Sequence, residues 1–422
     1  IIGGVAAGTK AAAKLKRMNP AADVTILTKG KDISYAGCGL PYYVGGLIPE
    51  KEQLIVNTPA KFTELTGAKV LVEREVTSLD ASAKQLAAKN LRTGMEETYS
   101  YDECVIACGA SSIVPPLQGI SLPGVFTMRT PDDAIELRDY VERTGAKRAV
   151  VAGGGFIGLE AAENLAAKGL TVTVIDMADQ IMPGFDKEMA DYAKRHLEKK
   201  GIKVLLNTRL EAVLGDSKAA GVKIPDGELK ADVVVMSLGI RPNTAVLKDT
   251  GLEMMPNGTI LVDSQMKTNL PNVYAAGDCV CVTNRLTGER AWSPMGSSAN
   301  MEGRTLAEAM CGEDSSYPGV LGTAVVKLPE LNGGRTGLSE EAAKQAGFDV
   351  ISVVIATDDK AHYYTGAGMF IIKLIADKNR RKLTGVQVLG SGDVDKVTAV
   401  GVVVMTLGAT IHTLLDMDTA KA

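Results

Sequence analysis

The stretch Val150-Val151-Ala152-Gly153-Gly154-Gly155-Phe156-Ile157-Gly158 decides the fold. An apolar, β-branched run enters a glycine-rich turn and leaves it through a helix-like segment, Leu159 to Lys168, before a second strand-like run, Thr171 to Ile175. That order is a βαβ unit, whose parallel strands need a right-handed crossover. Gly153, Gly155 and Gly158 fit the spacing G-x-G-x-x-G. Such glycines let the backbone turn tightly and approach a pyrophosphate, whose charge then rests on free amides at a helix N-terminus. Phe156 and Ile157 complete the turn.

The same unit stands at the beginning of the chain. Ile1-Ile2-Gly3-Gly4-Val5-Ala6-Ala7-Gly8 leads into an Ala-rich helix, Ala11 to Met18, and a strand, Val24 to Leu27. Gly153 repeats Gly3 at a separation of 150 residues. Two nucleotide sites are implied, with Val5 replacing the middle glycine of the first. An acid that accepts from a ribose is expected at the end of the second strand of each unit. Asp176 fills that position in the second copy, and Thr28 stands there in the first, followed by Lys29. A carboxylate accepts from both ribose hydroxyls and repels a 2′-phosphate, so the second site is expected to prefer NADH to NADPH. No Arg follows Asp176, only Met177 and Ala178.

Three further apolar runs end in small residues and glycine: Val105 to Ala110, Val233 to Gly239, and Val273 to Asp278. The first two mark places where the chain would cross between domains. Asp278 reads either as a turn residue or as an acceptor for a sugar or ribityl hydroxyl.

The 422 residues carry 46 basic and 50 acidic side chains, a net charge of −4, which argues against a nucleic-acid partner. The 45% hydrophobic content supplies large cores and suggests about three domains. Apolar runs such as Val400 to Leu407 fall short of the ~20 residues that span a bilayer. A soluble protein is expected. Six scattered cysteines fit a reducing cytoplasm better than a disulfide framework. The chain opens at Ile1, already within a strand, so its natural start is expected upstream.

Directly after the first unit comes Ser34-Tyr35-Ala36-Gly37-Cys38-Gly39-Leu40-Pro41-Tyr42-Tyr43-Val44-Gly45-Gly46. With this loop, both glycine turns, Ala107-Cys108-Gly109-Ala110, Gly239-Ile240-Arg241-Pro242-Asn243 and Gly277-Asp278, the sequence resembles the pyridine nucleotide-disulfide oxidoreductases. Within them it resembles the single-cysteine branch of coenzyme A-disulfide reductases, NADH oxidases and persulfide reductases. The resemblance covers essentially the whole chain.

The resemblance implies a glutathione-reductase-like α/β fold: two Rossmann-like domains, for FAD and NAD, and a C-terminal α+β dimerisation domain. The expected division is 1–118 with 245–320 for FAD, 119–244 for NAD(P)H and 321–422 for dimerisation. It implies Cys38 as the redox centre. FAD is expected on Gly3, Val5, Ala6, Ala7, Gly8, Thr28, Lys29, Ser34, Ala107, Gly109, Gly277 and Asp278. The nicotinamide nucleotide is expected on Gly153, Gly155, Phe156, Ile157, Gly158, Glu160, Asp176 and Gly239. Glu160 matches a family glutamate near the nicotinamide, and also reads as a first-turn acid answering the helix dipole. The Cys38 thiolate is the working species, so its pKa is expected below the free value of about 8.5, helped by a helix opening at Leu40 and by the flavin.

Dithiol members carry a second cysteine five residues on, where this chain has Tyr43. Cys38 must then alternate between thiol and a mixed disulfide, or between thiol and a sulfenic acid. Oxidase and peroxidase members carry a histidine where this chain has Ala6, which favours the mixed disulfide. His362-Tyr363-Tyr364-Thr365-Gly366 resembles the tyrosine motif that coenzyme A-disulfide reductases supply from the partner subunit, and reads otherwise as packed aromatics. The family's usual Asn before the cysteine is Gly37, and its second tyrosine falls on Lys421. Among Lys10, Lys14, Lys16, Arg17 and Lys61, the resemblance places Arg17 and Lys61, with Ser34, toward coenzyme A; alone, each reads as a solvated charge.

Cys279 and Cys281 lack a second ligand pair, and no metal is expected. Cys104, Cys108 and Cys311 read as small apolar residues. The expected activity is NADH-driven reduction of coenzyme A disulfide or a related persulfide or polysulfide. The alternatives are an NADH oxidase and, outside catalysis, a nucleotide sensor or electron-transfer module. A rhodanese module beyond Ala422 is left open.

Overall fold

The computed structural model describes residues 1–417. Lys421 lies outside them.

Both glycine stretches build parallel sheets. In the second, the strand Arg148–Ala152 lies between Thr171–Ile175 and Val233–Met236, and the sheet is completed by Lys203–Leu205 and Val125–Phe126 at its edges, all parallel. In the first, Ile2 bridges Leu27 and Ile106 in parallel, joining the pair Thr25–Leu27 with Lys69–Leu71 to the pair Cys104–Ile106 with Val273–Ala275. Strands buried on both faces read as continuous apolar runs, and Val233–Met236 is wholly buried: Val233 and Val235 pack with the helices, Val234 and Met236 with Val213 and Val222 on the other face.

Each sheet also carries an antiparallel three-stranded meander that the glycine reading leaves unread. These are Arg74–Asp80, Gln85–Asn90 and Glu96–Ser100 in the first, and Ala212–Leu214, Gly221–Ile224 and Gly227–Lys230 in the second. The chain crosses between the halves through the antiparallel pair Ala110–Ser112 and Ile240–Pro242, where the sequence places its crossings.

The C-terminal part is a five-stranded antiparallel sheet. Its order is Ala324–Leu328, Leu331–Gly337, Lys382–Gly390, Met369–Asp377, Val350–Asp358, with the helix Val394–Thr406 packed on it. Val350–Asp358 lies at the sheet edge and exposes Ile351, Val353, Val354 and Ile355. One apolar cluster runs from Leu40 and Val44 through Leu159 and Leu165 to Val326 and Leu328. It seats the segment after Cys38 where the three parts meet. Among the described residues no helix is long and apolar enough to cross a membrane.

Candidate active site

The two turns obey one steric rule. Gly3 and Gly153 have positive φ, and a Cβ on either would stand 2.1 Å from a carbonyl oxygen, of Ala107 and Ser237 respectively. A Cβ on Gly8 or Gly158 would stand 1.9 or 2.0 Å from the oxygen of Gly3 or Gly153. These four glycines are required by close backbone approach. Gly155 is different: its Cβ would meet nothing within 4 Å. Its space is left open by the protein itself, which explains why Val5 is tolerated in the first copy.

The helices that follow, Ala6–Met18 and Phe156–Ala167, have no side-chain cap and no acid in the first turn. Their leading amides therefore have no capping side chain and favour an anion. Ile157 is exposed at the start of the second helix. Asp176 accepts from the amides of Gly154 (2.6 Å) and Ala178 (2.8 Å), which fixes the carboxylate at the strand end. Thr28 is buried, and exposed Lys29 pairs with Glu75 at 2.8 Å. These cradles fit a dinucleotide at each turn.

Ser34 sits between the first turn and the cysteine loop. Its amide donates to Gly4 O at 2.9 Å, and its own φ of 48° is left-handed, a strained state for serine. Cys38 lies in the one-turn 3-10 segment Gly37–Gly39 and is the exposed member of the six cysteines, all of which are described. The helix Leu40–Gly45 follows, with Pro41 in its first turn. Gly45 is held by close packing, since a Cβ there would stand 2.1 Å from Asn164 Oδ1. Tyr43 is buried and its ring lies 4.6 Å from the Arg138 guanidinium carbon, so the position of a second cysteine is filled by packing.

The protein's own groups do not supply the expected depression of the Cys38 pKa. Burial within the surrounding protein first, then the negative charge of Glu160, pushes the thiol up, and Arg129 only partly opposes them. The helix after Cys38 has six residues, too short to supply a strong dipole. The first-turn reading of Glu160 is corrected. Glu160 falls in the second turn of Phe156–Ala167, and its Oε1 accepts from Tyr42 Oη at 2.9 Å. Burial pushes its carboxyl up to about 7.

Asp278 is more than a turn residue. It pairs with Arg129, whose Nε donates to Ala110 O at 3.0 Å, so the aspartate is fastened to the crossover. The preceding amide, Gly277 N–H, donates to Glu302 Oε2 at 2.7 Å. Burial pushes that carboxyl up to about 7. Gly109 O accepts from Asn243 N–H, and exposed Gly239 O accepts from Ile113 N–H, so both glycines lie at the crossing. Sequence reading missed Tyr42, Arg129, Glu302 and Ser237. The last alone had a signal, ending its strand as Ala107 ends its own.

The remaining expected residues are dispersed. Tyr363 and Tyr364, 76% and 50% exposed, stack with centroids 5.1 Å apart in the loop between Val350–Asp358 and Met369–Asp377. Among the described residues this loop makes no hydrogen bond to the Cys38 loop. Lys14 is neutralised by Glu308 at 3.0 Å and Lys16 donates to Pro20 O and Ala22 O. Arg17 and Lys61 are exposed and make no ion pair among the described residues.

Residues 1–303 match the family model described as pyridine nucleotide-disulphide oxidoreductase, and residues 323–421 match the dimerisation domain of the same family. An NAD(P)H coenzyme A polysulfide/persulfide reductase of Pyrococcus horikoshii is 35% identical over all of this chain and 94% of its own length. An NADH oxidase of Methanocaldococcus jannaschii is 35% identical over 92% of this chain and 87% of its own. The structure of an NAD-dependent persulfide reductase from A. fulgidus superposes with a TM-score of 0.96 at 38% identity, covering 100% of this chain and 79% of that one.

Proposed function

The chain belongs to the pyridine nucleotide-disulphide oxidoreductase family, and on that premise we propose that it uses NADH to reduce coenzyme A disulfide, or a related persulfide or polysulfide, through Cys38. The observation that carries this is the isolation of Cys38: it is an exposed free cysteine, and buried Tyr43 stands where an internal partner would be. Its exchange partner must come from the substrate.

FAD is assigned to the first cradle, with the amides after Gly3, from Val5 to Gly8, on the pyrophosphate. Thr28, Lys29, Ser34, Ala107, Gly109, Gly277 and Asp278 line the rest. NADH is assigned to the second, on Gly153, Gly155, Phe156, Ile157 and Gly158, with Asp176 toward the ribose and Glu160 and Gly239 beyond. When bound, FAD would supply the two-electron relay between nicotinamide and sulfur. Arg17, Lys61 and Ser34 are assigned to coenzyme A. The division 1–118 with 245–320, 119–244 and 321–422 follows from these assignments.

The active unit is a homodimer in a reducing cytoplasm. The exposed apolar strand Val350–Asp358 supports the first, and six cysteines without a disulfide among the described residues support the second. Tyr363 and Tyr364 then act from the second copy of the chain, where a neutral phenol orients the departing thiolate by a hydrogen bond. Size exclusion at one subunit mass would contradict a shared site.

A relative named NADH oxidase supports oxygen as a second acceptor. Cys38→Ser separates the two. Loss of disulfide reduction with oxygen turnover retained assigns the thiol to the reductase; disulfide reduction that survives in C38S overturns the proposal.

A further inference from the structure

Reduction of a disulfide by NADH consumes a proton from solvent. One S–S bond breaks and two S–H bonds form, while NADH brings two electrons and one hydrogen nucleus. Cys38 therefore needs a proton source within reach of the thiolate it expels.

Beside the cysteine loop, Tyr42 Oη donates to Glu160 Oε1 at 2.9 Å. The backbone of Lys327, in the strand Ala324–Leu328 of the C-terminal sheet, lies on another side of the same carboxyl and favours its charged form. Glu163, nearly one turn along the helix from Glu160, is only 8% exposed. Its Oε1 pairs with the Lys327 ammonium, and its Oε2 is buried with no partner. An unpartnered buried carboxylate oxygen is costly, and the Glu163 charge so held disfavours a second charge on Glu160. Glu160 thus stands where all three parts of the fold meet, hydrogen-bonded on one side to the segment that carries Cys38.

We propose that Glu160 is the proton store of Cys38 and that the Tyr42 hydroxyl passes the proton. This rests on the disulfide-reductase reading. In the first half-reaction the Cys38 thiolate attacks the substrate S–S bond, the mixed disulfide forms, and one thiolate leaves. That thiolate takes the Tyr42 proton as Tyr42 takes the proton of Glu160, and solvent later restores Glu160. A hydroxyl is both donor and acceptor, so Tyr42 can do this while remaining neutral. Burial and the neighbouring Glu160 raise its own pKa, which keeps it neutral at rest.

The groups facing Glu160 set its charge. Tyr42 and Cys38 face it from the cysteine loop and helix, Glu163 from its own helix and Lys327 from the C-terminal strand. Asp278 and Arg129 act on Cys38 from farther off, with opposite signs. Burial, which dominates, puts the Glu160 carboxyl at about 7, and Glu163 adds to it while the hydrogen bonds and Lys327 oppose. A thiolate on Cys38 favours a proton on Glu160, and a carboxylate on Glu160 disfavours the thiolate.

The test mixes holoenzyme bearing the Cys38 thiol with coenzyme A disulfide, without NADH, and follows release of the first thiol against pH. Release needs both the Cys38 thiolate, which grows with pH, and the Glu160 proton, so the wild type should rise to about pH 7 and level off above it. Glu160→Gln keeps an acceptor for Tyr42 but holds no proton. It should lose that break, rise on through pH 7, and slow release at pH 6 by roughly 100-fold. Tyr42→Phe should do the same. Glu163→Gln removes a like charge and frees Lys327, so it should move the break down by about one pH unit.

Infrared titration gives a readout apart from turnover: a carboxylic-acid C=O band titrating near 7 that E160Q removes, with the Glu302 band left in place. A break near pH 7 or a band that survives E160Q overturns the proton store. Wild-type enzyme that releases no thiol overturns the disulfide reading instead, and the band then decides the store by itself.

Discussion

Asp176 offers a direct test at the level of single residues. Its carboxylate is held by the amides of Gly154 and Ala178. Asp176→Asn removes the charge that would accept from a ribose and repel a 2′-phosphate. A charge-assisted hydrogen bond contributes about 1.5–3 kcal/mol, so the KM for NADH should rise by at least tenfold while that for NADPH falls or holds. Steady-state kinetics with both nucleotides decide it; an unchanged NADH-to-NADPH ratio contradicts the assignment. Asp176 and Cys38 were legible because their meaning lies in local spacing from a glycine turn or within one loop. Tyr42 with Glu160, 118 residues apart, and Arg129 with Asp278, 149 apart, were not. Each of those pairs exists only after two separate elements have packed. The raised Cys38 thiol was missed for the same reason, since Glu160 reaches it across a helix contact that no local pattern announces.

At the level of elements, the glycines of one turn separate into two kinds. Gly158→Ala drives a Cβ to 2.0 Å from the Gly153 oxygen, which is backbone and cannot swing away. Overpacking of this sort costs about 1–3 kcal/mol, so the melting temperature should drop and NADH binding weaken together. Gly155→Ala meets nothing within 4 Å and loses at most about 1 kcal/mol of N-cap preference. Its stability should stay near that of the parent while NADH affinity falls. Calorimetry and nucleotide titration on both variants check the contrast; equal destabilisation would contradict it. The βαβ units were readable because buried parallel strands are nearly pure apolar runs. The meanders were not, because strands such as Glu96–Ser100 alternate half-buried and exposed positions among Glu, Thr and Ser.

For the whole molecule, the second nucleotide half and the C-terminal sheet are tied by Lys373. It is 2% exposed and pairs with Asp186 at 3.0 Å, Glu188 at 2.5 Å and Glu340 at 2.8 Å. Removing one partner of a buried ion network costs about 3–5 kcal/mol, so Lys373→Met should lower the unfolding midpoint measurably at pH 7. Bonds from Lys344, Lys373 and Ser352 pull the Glu340 carboxyl down from 4.5 to about 2. A pKa depressed by folding stabilises above 4.5, and that contribution is lost as pH falls from 4.5 toward 2. The penalty of K373M should therefore shrink in acid; a penalty constant down to pH 2 would contradict the network.

The same assembly of three parts around Cys38 is the core of the functional account. Its most direct test is anaerobic: the yellow protein is mixed with NADH and coenzyme A disulfide, and free thiols are counted against NADH consumed. The account predicts two thiols per NADH in the wild type and none in C38S. No thiols, with NADH consumed only once oxygen is admitted, would contradict it.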